Sequence, residues 1–258
     1  MPATALVTGP TAGLGLSFAR RLAADGHDLV LVARDAGRLA EVAAELRTAY
    51  GRTVEVLPAD LADRVQLQVV ADRLADPSRP VDLLVNNAGF GLARRFVGHD
   101  LADEERLLDV LVRAVLVLSH AAAPGMRERR HGAIVNVSSV SGWVAMGTYS
   151  AAKAWCTAFS EGLAIELAGS GVTVTALCPG FVHTQFHQRA EINMTALPRV
   201  AWLDSDDVVH QCLADVRRGR VVSVPSARYR AVVTVARHAP RSVVRSVSGA
   251  ITQARASR

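Results

Sequence analysis

Tyr149 and Lys153 stand four residues apart in Tyr149-Ser-Ala-Ala-Lys153, and nine residues separate Tyr149 from Ser139. On a helix, positions i and i+4 share a face, so this spacing places an ammonium beside a phenol. A free phenol, with a pKa of about 10, is a poor proton donor or acceptor at neutral pH. An ammonium about 4 Å away, in an effective dielectric of about 20, would attract the phenolate by roughly 4 kcal/mol. That attraction is expected to bring the phenol towards neutrality, before burial opposes it. Ser139, just past a strand-like run, can hydrogen-bond and orient a reacting oxygen. The three side chains together suit proton transfer at a carbonyl or hydroxyl oxygen. The chain holds 29 cationic residues, and Lys153 is the sole lysine among them. A lysine supplies a compact ammonium, a role for which the planar fork of arginine is poorly shaped.

A second group lies near the N-terminus. The segment 3–8 reads as a strand and runs into Thr8-Gly9-Pro10-Thr11-Ala12-Gly13-Leu14-Gly15, ahead of a helical pattern over 16–24. Glycines at such a junction let the backbone turn tightly and approach a pyrophosphate, whose charge sits on the helix N-terminus. The spacing is G-x-x-x-G-x-G rather than the commoner G-x-G-x-x-G, and a tight strand–helix turn is the plainer reading of the glycines alone. The second strand ends in Val32-Ala33-Arg34-Asp35. A carboxylate at its tip would bond a ribose 2′-hydroxyl; the Ala33-Arg34 pair instead suits a 2′-phosphate and favours NADP(H) over NAD(H). Arg38 is a second, weaker candidate for that role, and a solvated loop charge is the alternative for Arg34.

The elements that must position these residues alternate regularly. Short apolar, β-branched runs recur at 3–8, 28–33, 53–57, 81–85, 133–137 and 172–177, with a last one at 219–224. Between them lie helical patterns such as Leu39, Val42, Ala43 and Leu46. Apolar strands alternating with amphipathic helices predict an α/β fold: a three-layer, doubly wound parallel sheet of Rossmann type. The expected organisation is one Rossmann-type nucleotide-binding domain over 1–225 and a basic helical tail over 226–258.

The net charge of +5 conceals a division. Residues 1–215 carry 19 cations and 24 acids, whereas the remainder carries ten arginines and no acid. The high isoelectric point therefore describes the tail, and no nucleic-acid-binding motif accompanies it. In the tail Val243, Val247 and Ile251 recur at i, i+4 and i+8, and Pro240 separates this helix from one near 227–238. Such basic helices can cover the acidic body, meet a partner subunit or lie on an anionic membrane. The apolar run around 107–118 is broken by Asp109 and Arg113, so no membrane span is expected. A strand starting almost at the first residue leaves no removable leader to expect. Cys156, Cys178 and Cys212 read as buried reduced thiols, and the expected location is the cytoplasm. His183 and His187 are four apart, but no third ligand is evident and no metal is expected.

The ordered set Thr8–Gly15, Asp60-Leu61, Asn86-Asn87-Ala88-Gly89, Ser139, Tyr149-x-x-x-Lys153 and Pro179-Gly180 with Thr184 resembles the classical short-chain dehydrogenase/reductase superfamily over about residues 3–225. The resemblance implies that Tyr149 is the acid–base and also contacts the cofactor, Lys153 bonds the nicotinamide ribose and Ser139 holds the substrate oxygen. Gly9, Thr11, Gly13, Leu14, Gly15 and Arg34 would bind the phosphates. Asp60 and Leu61 would flank the adenine. Asn87, Ala88 and Gly89 would line the cleft, and Pro179, Gly180, Val182 and Thr184 would contact the nicotinamide end. It further implies a homo-oligomer, either dimer or tetramer. Three features depart from the pattern. Leu111 stands where an Asn usually extends a water relay to the lysine. The loop from Ser139 to Tyr149 is short. The basic tail replaces the usual C-terminus. Phe90, Trp143, Met146, Phe181, Phe186, Met194 and Trp202 are candidates to line an apolar substrate pocket. The expected activity is hydride transfer between NADP(H) and the carbonyl or secondary alcohol of a small lipophilic substrate. The alternatives are an NADP(H)-sensing regulator or scaffold, and a membrane-surface reductase of a lipid-derived substrate.

Overall fold

The computed structural model describes residues 3–92, 96–98, 100–183 and 199–256, the last six as backbone. Seven strands form one parallel sheet in the order β3-β2-β1-β4-β5-β6-β9. Their bounds are β1 Thr4–Thr8, β2 Asp28–Ala33, β3 Val54–Pro58, β4 Leu83–Asn86, β5 Gly132–Val137, β6 Val172–Leu177 and β9 Val222–Ser223. The final strand is shorter than the run 219–224, because it pairs only through Ala176↔Val222 and Leu177↔Ser223. A separate parallel pair joins β7 (Phe181–Val182) to β8 (Trp202–Leu203).

Side chains alternate between the two faces of a strand, and here both faces are apolar. Ala5, Val7, Leu29 and Leu31 pack on one side against Leu22, Leu39 and Val209 of α1 (Gly13–Ala24), α2 (Ala36–Tyr50) and α7 (Ser205–Arg217). Leu6, Val30, Val32 and Leu84 pack on the other side against Leu67, Leu118 and Leu167. That second layer contains α3 (Arg64–Ala75), α5 (Ala114–Glu128) and α6 (Gly147–Glu166). This is the three-layer Rossmann architecture. Fully burying each such Leu or Val stabilises the fold by about 1.5–3 kcal/mol.

Aspartates start several helices by accepting backbone N–H groups: Asp35 for α2, Asp63 for α3 and Asp204 for α7. Helix α4 (Leu101–Leu108), capped by Asp100, leads through a π-helical turn (Asp109–Arg113) into α5. By length and hydropathy the continuous run Leu101–Glu128 could span a membrane, which the placement of Asp109 and Arg113 had not suggested. Those two charges pair with each other along the helix. Leu107, Leu111, Leu118 and Met126 are fully buried in the domain, so this is a core helix.

Two helices follow β9: α8 (Ala227–His238) and α9 (Arg241–Ala256). Helix α8 buries Tyr229 and Val233 with Ala176, Cys178 and Val224. Helix α9 buries Val244 and Ser248.

Candidate active site

The sheet order reverses between β1 and β4, and their C-terminal ends open the crevice where such sheets bind nucleotides. Thr8 and Asn87 lock the two strand ends together. Backbone N–H groups of Asn87 and Ala88 both donate to Thr8 Oγ1 at 2.9 Å. The Asn87 amide donates to the Thr8 carbonyl at 2.8 Å and the Gly9 carbonyl at 3.1 Å. Gly9 has φ +67°, and a Cβ on Gly15 would collide with the Gly9 carbonyl and the Asn87 amide. Helix α1 begins at Ala12 without a side-chain cap and without an acid in its first turn. Its exposed N–H dipoles suit an anion. Thr11, Gly13 and Leu14, on the loop and first turn, are partly exposed beside them. These residues fit a dinucleotide pyrophosphate.

Arg34 is exposed at the tip of β2. Arg38 is paired with Glu41 at 2.6 Å, which leaves Arg34 the better phosphate donor. Asp60 lies close enough to feel the charge of Arg34. Partial burial works to raise the Asp60 carboxyl, but the Ala62 N–H, the Arg106 hydrogen bond and both guanidinium charges hold it below its ordinary value. Arg106 donates to Asp60 at 2.6 Å across a separation of 46 residues, a partnership the sequence does not advertise. Leu61 is buried next to it in the core.

Ser139 follows β5 and starts a 3₁₀ turn (Val140–Trp143), its Oγ accepting the Ser141 N–H at 3.1 Å. The Ser139 side chain also hydrogen-bonds the Tyr149 phenol. Both Tyr149 and Lys153 lie on α6. The Lys153 ammonium sits 5.7 Å from the centre of the Tyr149 ring and donates to the Val137 carbonyl at 2.6 Å. Its residue is only 5% exposed. A Cβ on Gly89 would stand 4.0 Å from Lys153 Nζ and 2.7 Å from Leu111 Cδ2. The structure thus brings Ser139, Tyr149, Lys153 and Gly89 together at one end of the crevice.

The electrostatics differ from the sequence expectation. Burial pushes the Tyr149 phenol above its ordinary value, and the hydrogen bond from Ser139 only partly opposes this. Burial also pushes the Lys153 ammonium down. The charge attraction was expected to act before burial opposed it; in the folded site burial is the larger effect. Leu111 contributes to that cost. It lies in the π-helical turn and packs with Leu107, Ala152, Phe90 and Tyr149 as an apolar wall. The three cysteines are free and buried. Burial raises Cys156 and takes Cys178 to about 12, so neither offers a thiolate near neutral pH.

Pro179, Gly180 and Val182 follow β6. The Pro179 carbonyl accepts the Val140 N–H at 3.1 Å, tying this turn to the residue after Ser139. Phe181 and Trp202 meet at 6.1 Å, and His183 stacks on Trp202 at 4.7 Å. Trp143 and Phe181 pack against the buried cluster around Tyr229 rather than standing free. Met146 precedes α6 and is partly buried. Thr184, Phe186, His187 and Met194 lie outside the described residues.

The short chain dehydrogenase family matches residues 3–195 of the chain. A probable NADP-dependent dehydrogenase of Haemophilus influenzae is 30% identical over 250 residues, covering 91% of this chain and 98% of that protein. The short-chain dehydrogenase of Sphingobium yanoikuyae, solved with NADPH, superposes with a TM-score of 0.83 at 38% identity, over 90% of this chain and 92% of its own. A bulky-bulky ketone specific alcohol dehydrogenase from Comamonas testosteroni superposes with a TM-score of 0.80 at 32% identity, over 92% of each chain. The crevice built on β1 and β4 and the Ser139–Tyr149–Lys153 cluster thus sit on a scaffold shared along almost the whole chain: this protein is a member of the short-chain dehydrogenase family.

Proposed function

We propose that this oxidoreductase uses NADP(H) and interconverts a carbonyl and a secondary alcohol on a small lipophilic substrate. The observation that carries the reading is the Tyr149 phenol bonded to Ser139, with the Lys153 ammonium beside its ring and Gly89. The nicotinamide supplies or accepts the hydride. Ser139 holds the substrate oxygen. Tyr149 gives that oxygen a proton on reduction and takes it back on oxidation. Lys153 bonds the cofactor ribose and holds positive charge near the phenol. Its ammonium favours the phenolate while burial disfavours it, so the proton is held until the oxygen develops charge. Gly9, Thr11, Gly13, Leu14 and Gly15 cradle the pyrophosphate. Asp60 and Leu61 flank the adenine. Asn87, Ala88 and Gly89 line the cleft, and Pro179, Gly180, Val182 and Thr184 meet the nicotinamide end. Phe90, packed with Leu111 and Tyr149, gives the substrate side an apolar character, and the ketone preference in the name of the Comamonas enzyme agrees with a bulky carbonyl. The exposed Leu101, Leu108, Leu116 and Ile165 support self-association, and a cytoplasmic location fits this reading.

The direct test is NADPH oxidation across a panel of ketones and aldehydes of increasing bulk. Turnover that favours bulky apolar carbonyls is expected; NADPH binding without turnover on the whole panel would instead identify a sensor or scaffold. Cofactor choice has its own measurement. A charge-assisted contact is worth about 1.5–3 kcal/mol, so Arg34→Ala should weaken NADPH roughly tenfold or more. NADH affinity should barely move. Equal losses on both cofactors would remove Arg34 from the 2′-phosphate.

A second reading, a membrane-surface reductase, draws support from the outside of α8 and α9. Val232, Val235, Val243 and Val247 are exposed there beside Arg241 and Arg245. Full-length protein should then float with phosphatidylserine vesicles and not with phosphatidylcholine alone, and Arg241→Glu with Arg245→Glu should abolish flotation. No difference between the two lipids would dismiss this reading.

A further inference from the structure

We infer that Tyr229, on the C-terminal helix α8, is a positioning residue of the reaction centre, and that it sets the turn Pro179–Phe181. The inference rests on the oxidoreductase reading above, since that turn borders the nicotinamide end.

Three contacts carry it. The Tyr229 hydroxyl donates to the Ala201 carbonyl at 2.6 Å. The same oxygen accepts the Phe181 N–H at 3.2 Å. One phenol therefore joins the chain just before β8 to the first residue of β7. The Tyr229 ring lies against Gly180, where a Cβ would collide with its Cε2 and Cζ. The absence of a side chain at 180 thus admits the ring from the tail. Packing alone would be served by a phenylalanine. The hydroxyl adds two main-chain bonds, both made to the turn and its neighbour strand.

The turn is linked in its other direction to catalysis. Pro179 accepts the Val140 N–H, and Val140 directly follows Ser139. A displacement of Gly180 therefore reaches the oxygen-binding serine through two peptide bonds and the hydrogen bond between them. Other tail residues hold the same region. Ser248 Oγ accepts the Ala145 N–H at 3.1 Å. The Arg237 guanidinium lies 6.0 Å from the Trp143 ring and 3.4 Å from Glu161 on α6. The segment from Ser139 to Tyr149 is consequently braced from outside by the tail.

The test compares full-length wild type with Tyr229→Phe, which keeps the ring on Gly180 and removes both hydrogen bonds. The measurements are kcat and KM for the best carbonyl of the panel, the Kd of NADPH, and the Kd of 2′,5′-ADP, which lacks the nicotinamide. Small misplacements near reacting atoms carry large rate costs, so kcat/KM should fall about tenfold, mainly in kcat. The 2′,5′-ADP affinity should stay within about twofold, because the adenine end lies across the crevice. Unchanged kcat and KM, or a parallel loss of 2′,5′-ADP binding, would overturn the assignment. A double-mutant cycle supplies the second arm. Gly180→Ala should lose activity, and Gly180→Ala combined with Tyr229→Ala should be no worse than the poorer single variant. Strictly additive losses would overturn the coupling. A wild type without turnover on the panel would remove the oxidoreductase reading and this assignment together. A wild type with turnover, equalled by Tyr229→Phe, would remove this assignment alone.

Discussion

Tyr149→Phe is expected to lower kcat by about 10²–10⁴-fold, the range lost when a positioned acid–base is removed. NADPH affinity should stay within about twofold of wild type, because in the proposed mechanism the removed hydroxyl serves the substrate oxygen. The fold should tolerate the change. The ring still packs with Leu107, Leu111 and Ala152, and the bond to Ser139 disappears. A net hydrogen bond of this kind contributes about 1 kcal/mol, so thermal unfolding should shift by a few degrees at most. Steady-state NADPH oxidation and fluorescence titration of NADPH decide the matter. Half or more of the wild-type kcat remaining would exclude Tyr149 as the proton donor.

Lys153→Arg carries the second large effect, although it conserves charge. The ammonium occupies a buried slot between the Val137 carbonyl, Gly89 and the Tyr149 ring. A guanidinium is planar and wider, and fitting it there means displacing Leu111 or the α6 backbone. Overpacking of that sort costs about 1–3 kcal/mol of stability. More importantly, the charge moves away from the phenol and from the ribose hydroxyls that the proposed mechanism assigns to it. Misplacement of about 1 Å can cost around 100-fold in rate, so kcat/KM should fall at least that far. Kinetics on the folded variant, checked by circular dichroism, would measure it. Near-normal activity would show that any cation suffices at 153.

Much of the sheet was legible because both faces of its strands are apolar. Beyond Asp28 the run 28–33 is apolar on both faces, and in 172–177 Thr173 and Thr175 share one face although Thr175 is fully buried; the bounds of both runs match β2 and β6. The last strand was harder to delimit. An edge strand has one neighbour, and only Val222 and Ser223 pair with β6. The cluster of Ser139, Tyr149 and Lys153 was visible from helical spacing plus a lone lysine. The direction of the phenol shift was not, because enclosure by Leu111 and Phe90 is a tertiary fact. The same holds for Arg106 on Asp60 and for Tyr229 on Gly180. Each joins residues distant in sequence, and neither pair leaves a periodic trace. The tail showed its apolar repeat in advance. That repeat does not mark the packed face: Val243 and Val247 are exposed, and α9 turns Val244 and Ser248 inward instead, which required the packed chain.

The burial of Lys153 reaches beyond catalysis. It is the chain's one lysine, and it is 5% exposed. The exterior therefore presents arginine guanidinium groups and no lysine amine. Reagents that acylate lysine side chains, and enzymes that acetylate them or attach ubiquitin-like tags, find no accessible target on the folded protein. Tagging at position 153 would first require unfolding, which ties any such mark to loss of the native state.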